Sequence, residues 1–128
     1  TNIFISKLDS AGNFIWAKQM GGTNDESAYA IAVDNSGNSV ITGYFSGTAD
    51  FDPGIGNAVL SGTSNTVFIC KLNNSGNYLW AKAFDGSAAN EGNCIALDAD
   101  GNVYSTGFFI GTSDFDFTQQ SFSRTKQS

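Results

Sequence analysis

The chain has 128 residues, enough for one ordinary domain with a modest core, and 41% of them are hydrophobic. Only 14% are charged, the net charge is −6, and the basic residues form no stripe, which excludes a nucleic-acid binder. No apolar run approaches the ~18–20 residues of a membrane helix, and a start at Thr1 with no leader suits a mature or excerpted chain.

In chain order, Ile3-Phe4-Ile5-Ser6-Lys7-Leu8 alternates with a period of two, placing Phe4 and Leu8 on one face and Ile3 and Ile5 on the other. Apolar residues on both faces predict a strand covered on both sides. Ser10-Ala11-Gly12-Asn13 follows, with the small polar residue and glycine of a tight hairpin. Phe14-Ile15-Trp16-Ala17-Lys18 is the predicted returning strand, with Phe14 and Trp16 on one side. Asp25-Glu26, like Asn90-Glu91 later, falls in a connecting loop and reads as solvated polar surface. Strands are then predicted over roughly 28–34, 39–46, 66–72 and 77–84, joined by Gly-Asn turns and by a long connection from Thr48 to Asn65. That connection is expected to hold a short extra strand around Ala58-Val59-Leu60. No helix of useful length is predicted.

The pattern then starts again. Lys7-Leu8-Asp9-Ser10-Ala11-Gly12-Asn13-Phe14-Ile15-Trp16-Ala17-Lys18 returns as Lys71-Leu72-Asn73-Asn74-Ser75-Gly76-Asn77-Tyr78-Leu79-Trp80-Ala81-Lys82. The same offset, from Lys7 to Lys71, carries Ile31-Ala32-Val33-Asp34 onto Ile95-Ala96-Leu97-Asp98 and Thr42-Gly43 onto Thr106-Gly107, with no gap from residue 1 to 118. Fixed-period self-similarity marks a repeat architecture. The expected fold is all-β: four-stranded antiparallel sheets stacked as blades of a β-propeller. The single repeat region 1–128 divides into units 1–64 and 65–128, cut out of phase with the blades. It opens on a third strand and closes after a second. Propellers close with typically ~4–8 blades, so two blades' worth of chain implies a longer array or self-association. Copies could complete the split blades by pairing their open strand edges.

The segment Ala30–Gly54, with Asp34-Asn35-Ser36-Gly37-Asn38 and Asp50-Phe51-Asp52-Pro53-Gly54 inside it, resembles the SBBP-type β-propeller repeat of secreted and surface proteins of Bacteroidetes and related bacteria. The segment Lys7–Lys18 and Gly21-Gly22 are similar to the same family pattern. The likeness departs at Phe117-Thr118-Gln119-Gln120, where the Pro-Gly after Asp-Phe-Asp is lost. The resemblance implies a propeller, an extracellular or bacterial cell-surface location, and membership of a larger polypeptide. It implies no reaction.

The residues that could carry chemistry are few. Asp50 and Asp52, with Asp114 and Asp116, are the candidate metal ligands: in an extended Asp-Phe-Asp both carboxylates share one face, about 7 Å apart, and Ca²⁺ takes oxygen donors. The competing reading has them cap turns by accepting backbone N–H bonds. Asp34 and Asp98 open loops that superficially resemble calcium loops, yet hairpin turn chemistry explains them better. Trp16 and Trp80 could stack on a sugar ring as ligand platforms, although their fixed place in the repeat fits blade packing better. Cys70 and Cys94 stand where the first unit has Ser6 and Ala30; they fill narrow positions or form an inter-blade disulfide. Asn73-Asn74-Ser75 matches a glycosylation sequon, a three-residue pattern common by chance. Histidine is absent and no activated serine is recognisable. The expected function is therefore a noncatalytic scaffold binding protein or polysaccharide through blade loops. The alternatives are a Ca²⁺-stabilised, lectin-like carbohydrate-binding module and a self-assembling fragment.

Overall fold

Period-two alternation gives strands throughout. The computed structural model describes residues 1–116 and the backbone of 123–125; the expected departure at 117–120 lies outside the described residues. Among the described residues ten strands occur in chain order: β1 (Asn2–Leu8), β2 (Phe14–Gly22), β3 (Glu26–Val33), β4 (Ser39–Asp50), β5 (Val59–Leu72), β6 (Tyr78–Phe84), β7 (Asn90–Leu97), β8 (Val103–Phe109), β9 (Thr112–Asp114) and β10 (Ser123–Thr125). All pairings between them are antiparallel, and no helix occurs among the described residues.

β3, β4, β5 and β6 pair in sequence order and form the one complete four-stranded blade among the described residues, and Gly21-Gly22 at the end of β2 pairs with Ala49-Asp50 of β4, joining the β1–β2 hairpin to the same sheet. The hairpin β1–β2 precedes it as the third and fourth strands of a blade, and β7–β8 follows as the first and second. The described strands do not close into a ring. The two units share one backbone plan. Ile5 faces Lys18 as Ile69 faces Lys82, and Glu26 faces Phe45 as Asn90 faces Phe109. Even the bulges recur, at Lys7/Leu8 and Lys71/Leu72, and at Ala28/Ala30 and Gly92/Cys94.

Each hairpin is closed by the same local chemistry. Oδ1 of Asp9, Asp34, Asn73 and Asp98 accepts the backbone N–H groups two and four residues on, at 2.8–3.0 Å. The glycine three residues on then takes the left-handed conformation, with φ of 79–85°. The loop-like strings at Asp34 and Asp98 are therefore turns.

Two strands extend beyond the segments that their alternation predicts. β4 runs on to Asp50 and β5 begins at Val59, so the short strand expected near Leu60 is the start of a 14-residue β5. Val59–Gly62 pairs with Gly47–Asp50 of β4, past a bulge at Phe45/Gly47.

Core forms on both faces of the blade. On one face Ile41, Phe45, Phe68, Cys70 and Leu72 pack against Ile3, Ile5 and Met20 of β1–β2. On the other, Val40 and Ile69 pack with Ile95, Leu97 and Val103 of β7–β8. Apolar side chains on both faces of a strand thus mark sheets stacked face to face.

Candidate functional site

Antiparallel order sorts the connections by end. The four Asx-Gly-Asn turns lie at one end of the sheets, and the loops 23–25, 51–58 and 85–89 lie at the other. The turn end is uniform and tightly bonded; Lys71 Nζ meets Asp34 Oδ2 at 3.0 Å there, and the Trp16 indole N–H donates to the Asn74 carbonyl at 3.1 Å. The carboxylates that open three of the turns, Asp9, Asp34 and Asp98, are held below their ordinary range. For Asp9 the first cause is the Asn13 side-chain amide, for Asp98 that of Asn102, and for Asp34 that of Asn38, with Lys71 second.

The loop end differs between units and is indented. Gly21-Gly22 crosses β4 so closely that a Cβ on Gly22 would lie 1.9 Å from the Thr48 carbonyl oxygen. Beside this crossing Asn2, Gln19, Asp50, Asp52 and Pro53 line a polar cleft of about 310 Å³. The equivalent pairing in the second unit, Gly86 with Ser113, lies beside a more apolar cleft of about 340 Å³, lined by Asp85, Ser87, Thr112 and Asp114. Ile55 stands fully exposed on the 51–58 loop.

Of the candidate metal ligands, Asp50 and Asp52 line the first cleft and Asp114 the second, while Asp116 lines neither; the three in the clefts turn toward the backbone. Asp50 Oδ1 accepts from Asp52 N and Ala58 N, both at 2.9 Å, and Asp52 Oδ1 accepts from Gly54 N at 2.8 Å. Asp114 accepts from Asp116 N at 3.0 Å, as Asp50 does from Asp52. Phe51 between Asp50 and Asp52 anchors the core, edge-on to Phe45 with ring centres 5.3 Å apart. No group of three or more Cys, Asp or Glu residues is placed to hold a metal among the described residues.

Trp16 and Trp80 are half-buried at blade faces, Trp16 against the first core and Trp80 against the second. Cys70 fills a buried position near Met20, and burial pushes its thiol up to about 12, with Asp52 adding to the shift. Cys94 is exposed, so the expectation that both fill narrow positions holds for Cys70 alone, and neither is in a disulfide.

One feature of this end escaped the sequence reading. Glu26 and its counterpart Asn90 are each 1% exposed, and their side-chain polar atoms lack hydrogen-bond partners. The expectation of solvated polar surface at these two positions is corrected, because both open strands rather than sit in loops. Burial raises the Glu26 pKa. The readable signal was positional equivalence: a charge and an amide in one repeat slot.

No family model matches the chain. A WD repeat-containing protein of Acanthamoeba polyphaga mimivirus is 32% identical over 126 aligned residues, covering 85% of this chain. The chain spans only 9% of that relative's length.

Proposed function

We propose that the chain is a noncatalytic interaction scaffold, two blades' worth of a propeller-type protein that receives protein or polysaccharide in its loop-end clefts. The observation that carries this reading is a cleft at the loop end of each unit, beside the equivalent pairings Gly22–Ala49 and Gly86–Ser113, polar in the first unit and more apolar in the second. Repetition with variation suits a surface that binds extended or repeating partners. A relative described by its WD repeats fits blades of this kind, since WD blades are four-stranded. The likeness of Ala30–Gly54 to SBBP-type repeats supports an extracellular or cell-surface location. Panning a displayed peptide library and a glycan array tests the proposal. Bound probes should be lost on Gln19→Trp, which fills the cleft, and kept on Ser10→Trp at the turn end. Binding that ignores Gln19→Trp would move the site elsewhere.

Asp50 and Asp52 in the cleft wall favour one variant of this reading, a Ca²⁺-stabilised carbohydrate site. A ligand that binds only the folded state raises the melting temperature. On this variant, Ca²⁺ raises the melting temperature of the native chain, chelator reverses the rise, and Asp50→Asn abolishes it. Identical melting curves with Ca²⁺ and with chelator would remove it.

A further inference from the structure

The two units share a backbone, yet one apolar face is buried in the second and bare in the first. Phe68 and Leu72 of β5 are 0% exposed, whereas their counterparts Phe4 and Leu8 of β1 are 78% and 54% exposed. Cys70 is buried while Ser6, in the same place, is exposed. What covers Phe68, Cys70 and Leu72 is the surface made by Ile5, Trp16, Met20, Ile41 and Phe51. Shifted by one repeat, that surface becomes Ile69, Trp80, Phe84, Ser105 and Phe115. These five, with Lys82 and Val103, line an open cleft of about 610 Å³ beside β8. One chain therefore carries both halves of a contact whose intact form it already contains. A second bare patch follows the same logic: Phe4, Ser6, Tyr29 and Ile31 line a cleft of about 300 Å³ where a preceding β7–β8 pair would lie.

We propose that the cleft beside β8 receives the β1–β2 hairpin of a second copy of the chain, head to tail. The proposal rests on the reading of the chain as consecutive blades. The internal β4–β5 ladder supplies its register. Ile41 faces Cys70 and Val40 faces Lys71, so Ser105 of β8 faces Ser6 of the incoming β1, and Tyr104 faces Lys7. Phe4, Ser6 and Leu8 then cover Ile69 and Trp80, as Phe68, Cys70 and Leu72 cover Ile5 and Trp16. Lys7, which donates to the Asn74 oxygens of its own chain, exchanges them for Asp98 of the neighbouring copy, as Lys71 meets Asp34. The Trp80 indole N–H donates to the incoming Ser10 carbonyl, as Trp16 donates to that of Asn74. Each copy completes one split blade. A ring of the usual ~4–8 blades then holds about two to four copies.

Sedimentation of the 128-residue chain should show a discrete multiple of one copy. Phe4→Asp should return it to a single copy with an unchanged β-sheet circular dichroism spectrum, because Phe4 is bare in the lone chain. Asp98→Asn keeps the turn, as Asn73 shows, and should weaken association about fivefold, the loss expected for one partly exposed ion pair. In a Cys94→Ala background, Ser6→Cys with Ser105→Cys should oxidise to disulfides between copies, and either change alone should not. A chain that stays single up to millimolar concentration overturns the proposal, as does an assembly indifferent to Phe4→Asp and unlinked through Ser6 and Ser105. Amide exchange separates this failure from a failure of the blade reading. Protection along β3–β6 with bare β1 and β8 edges sinks only the docking, whereas missing protection along β3–β6 sinks the blades themselves.

Discussion

Glu26 is the residue least at ease in the fold. Its carboxyl is buried without a hydrogen-bond partner at a place where the second unit uses the neutral Asn90. A carboxyl whose pKa is raised on folding favours the folded state most when protonated. Its contribution is full below the ordinary value near 4.5 and is lost as the pH climbs through the folded value. Glu26→Gln should therefore raise stability at neutral pH, on the order of 1 kcal/mol, with little effect at pH 4; urea melts at the two pH values check both. Phe51 lies at the other extreme. Fully buried, with its ring 4.8 Å from that of Phe68, it should cost about 3–5 kcal/mol on truncation to alanine. Phe115 is more than a third exposed, and its truncation should cost markedly less in the same denaturation assay. The anchoring role of Phe51 is legible, since in an extended Asp-Phe-Asp the apolar ring points away from the two carboxylates and so inward. The burial of Glu26 was not, because a charge beside a glycine-rich loop ordinarily meets water.

Among the elements, the hairpins were the most legible. Asp9-Ser10-Ala11-Gly12-Asn13 and its three relatives encode their turns locally, through a side-chain acceptor and a glycine. The length of β5 was not legible. Val59-Leu60-Ser61-Gly62-Thr63-Ser64-Asn65-Thr66 has little apolar alternation, and its first residues become strand because the overhanging end of β4 offers a ladder to pair with. Where strands press closest, glycine is a packing requirement. A Cβ on Gly43 would lie 1.9 Å from the Ser27 carbonyl oxygen, and one on Gly107 equally close to that of Glu91. Gly43→Ala should force β3 and β4 apart at a cost of at least about 1–3 kcal/mol. Gly12→Ala meets nothing within 4 Å, but it keeps a positive φ that costs an L-residue about 1–2 kcal/mol. Thermal melts paired with amide exchange distinguish them: the first exposes β3–β4 amides, the second only the β1–β2 turn.

At the scale of the whole molecule, the repeat that carries Lys7 onto Lys71 predicted stacked sheets, and stacked sheets are present, with core on both faces of the blade. The bare faces of β1 and β8 could not be foreseen from side-chain pattern, since Phe4 and Phe68 are the same residue in the same alternation. Only the neighbour differs. The clefts of the candidate site were likewise out of reach, because they arise where Gly21-Gly22 crosses a strand that lies far along the chain, at Thr48. The aspartates in the first cleft's wall are chosen for their chemistry, and the backbone bonds they accept come from the 51–58 loop that follows β4.

The four turns at one end carry a further consequence through a single exchange of acid for amide. Asp9, Asp34 and Asp98 each have a lowered pKa, so the stability they lend is present above the ordinary value of 3.8 and drains away as acid titrates them. Asn73 accepts the same two backbone N–H groups and has no proton to gain. Acidification should therefore undo the protein unevenly. The β1–β2 and β7–β8 ribbons lose their clasps first and β3–β4, whose Asp34 is also held by Lys71, after them, while the β5–β6 ribbon keeps its own and should be the last to give up its slowly exchanging amides.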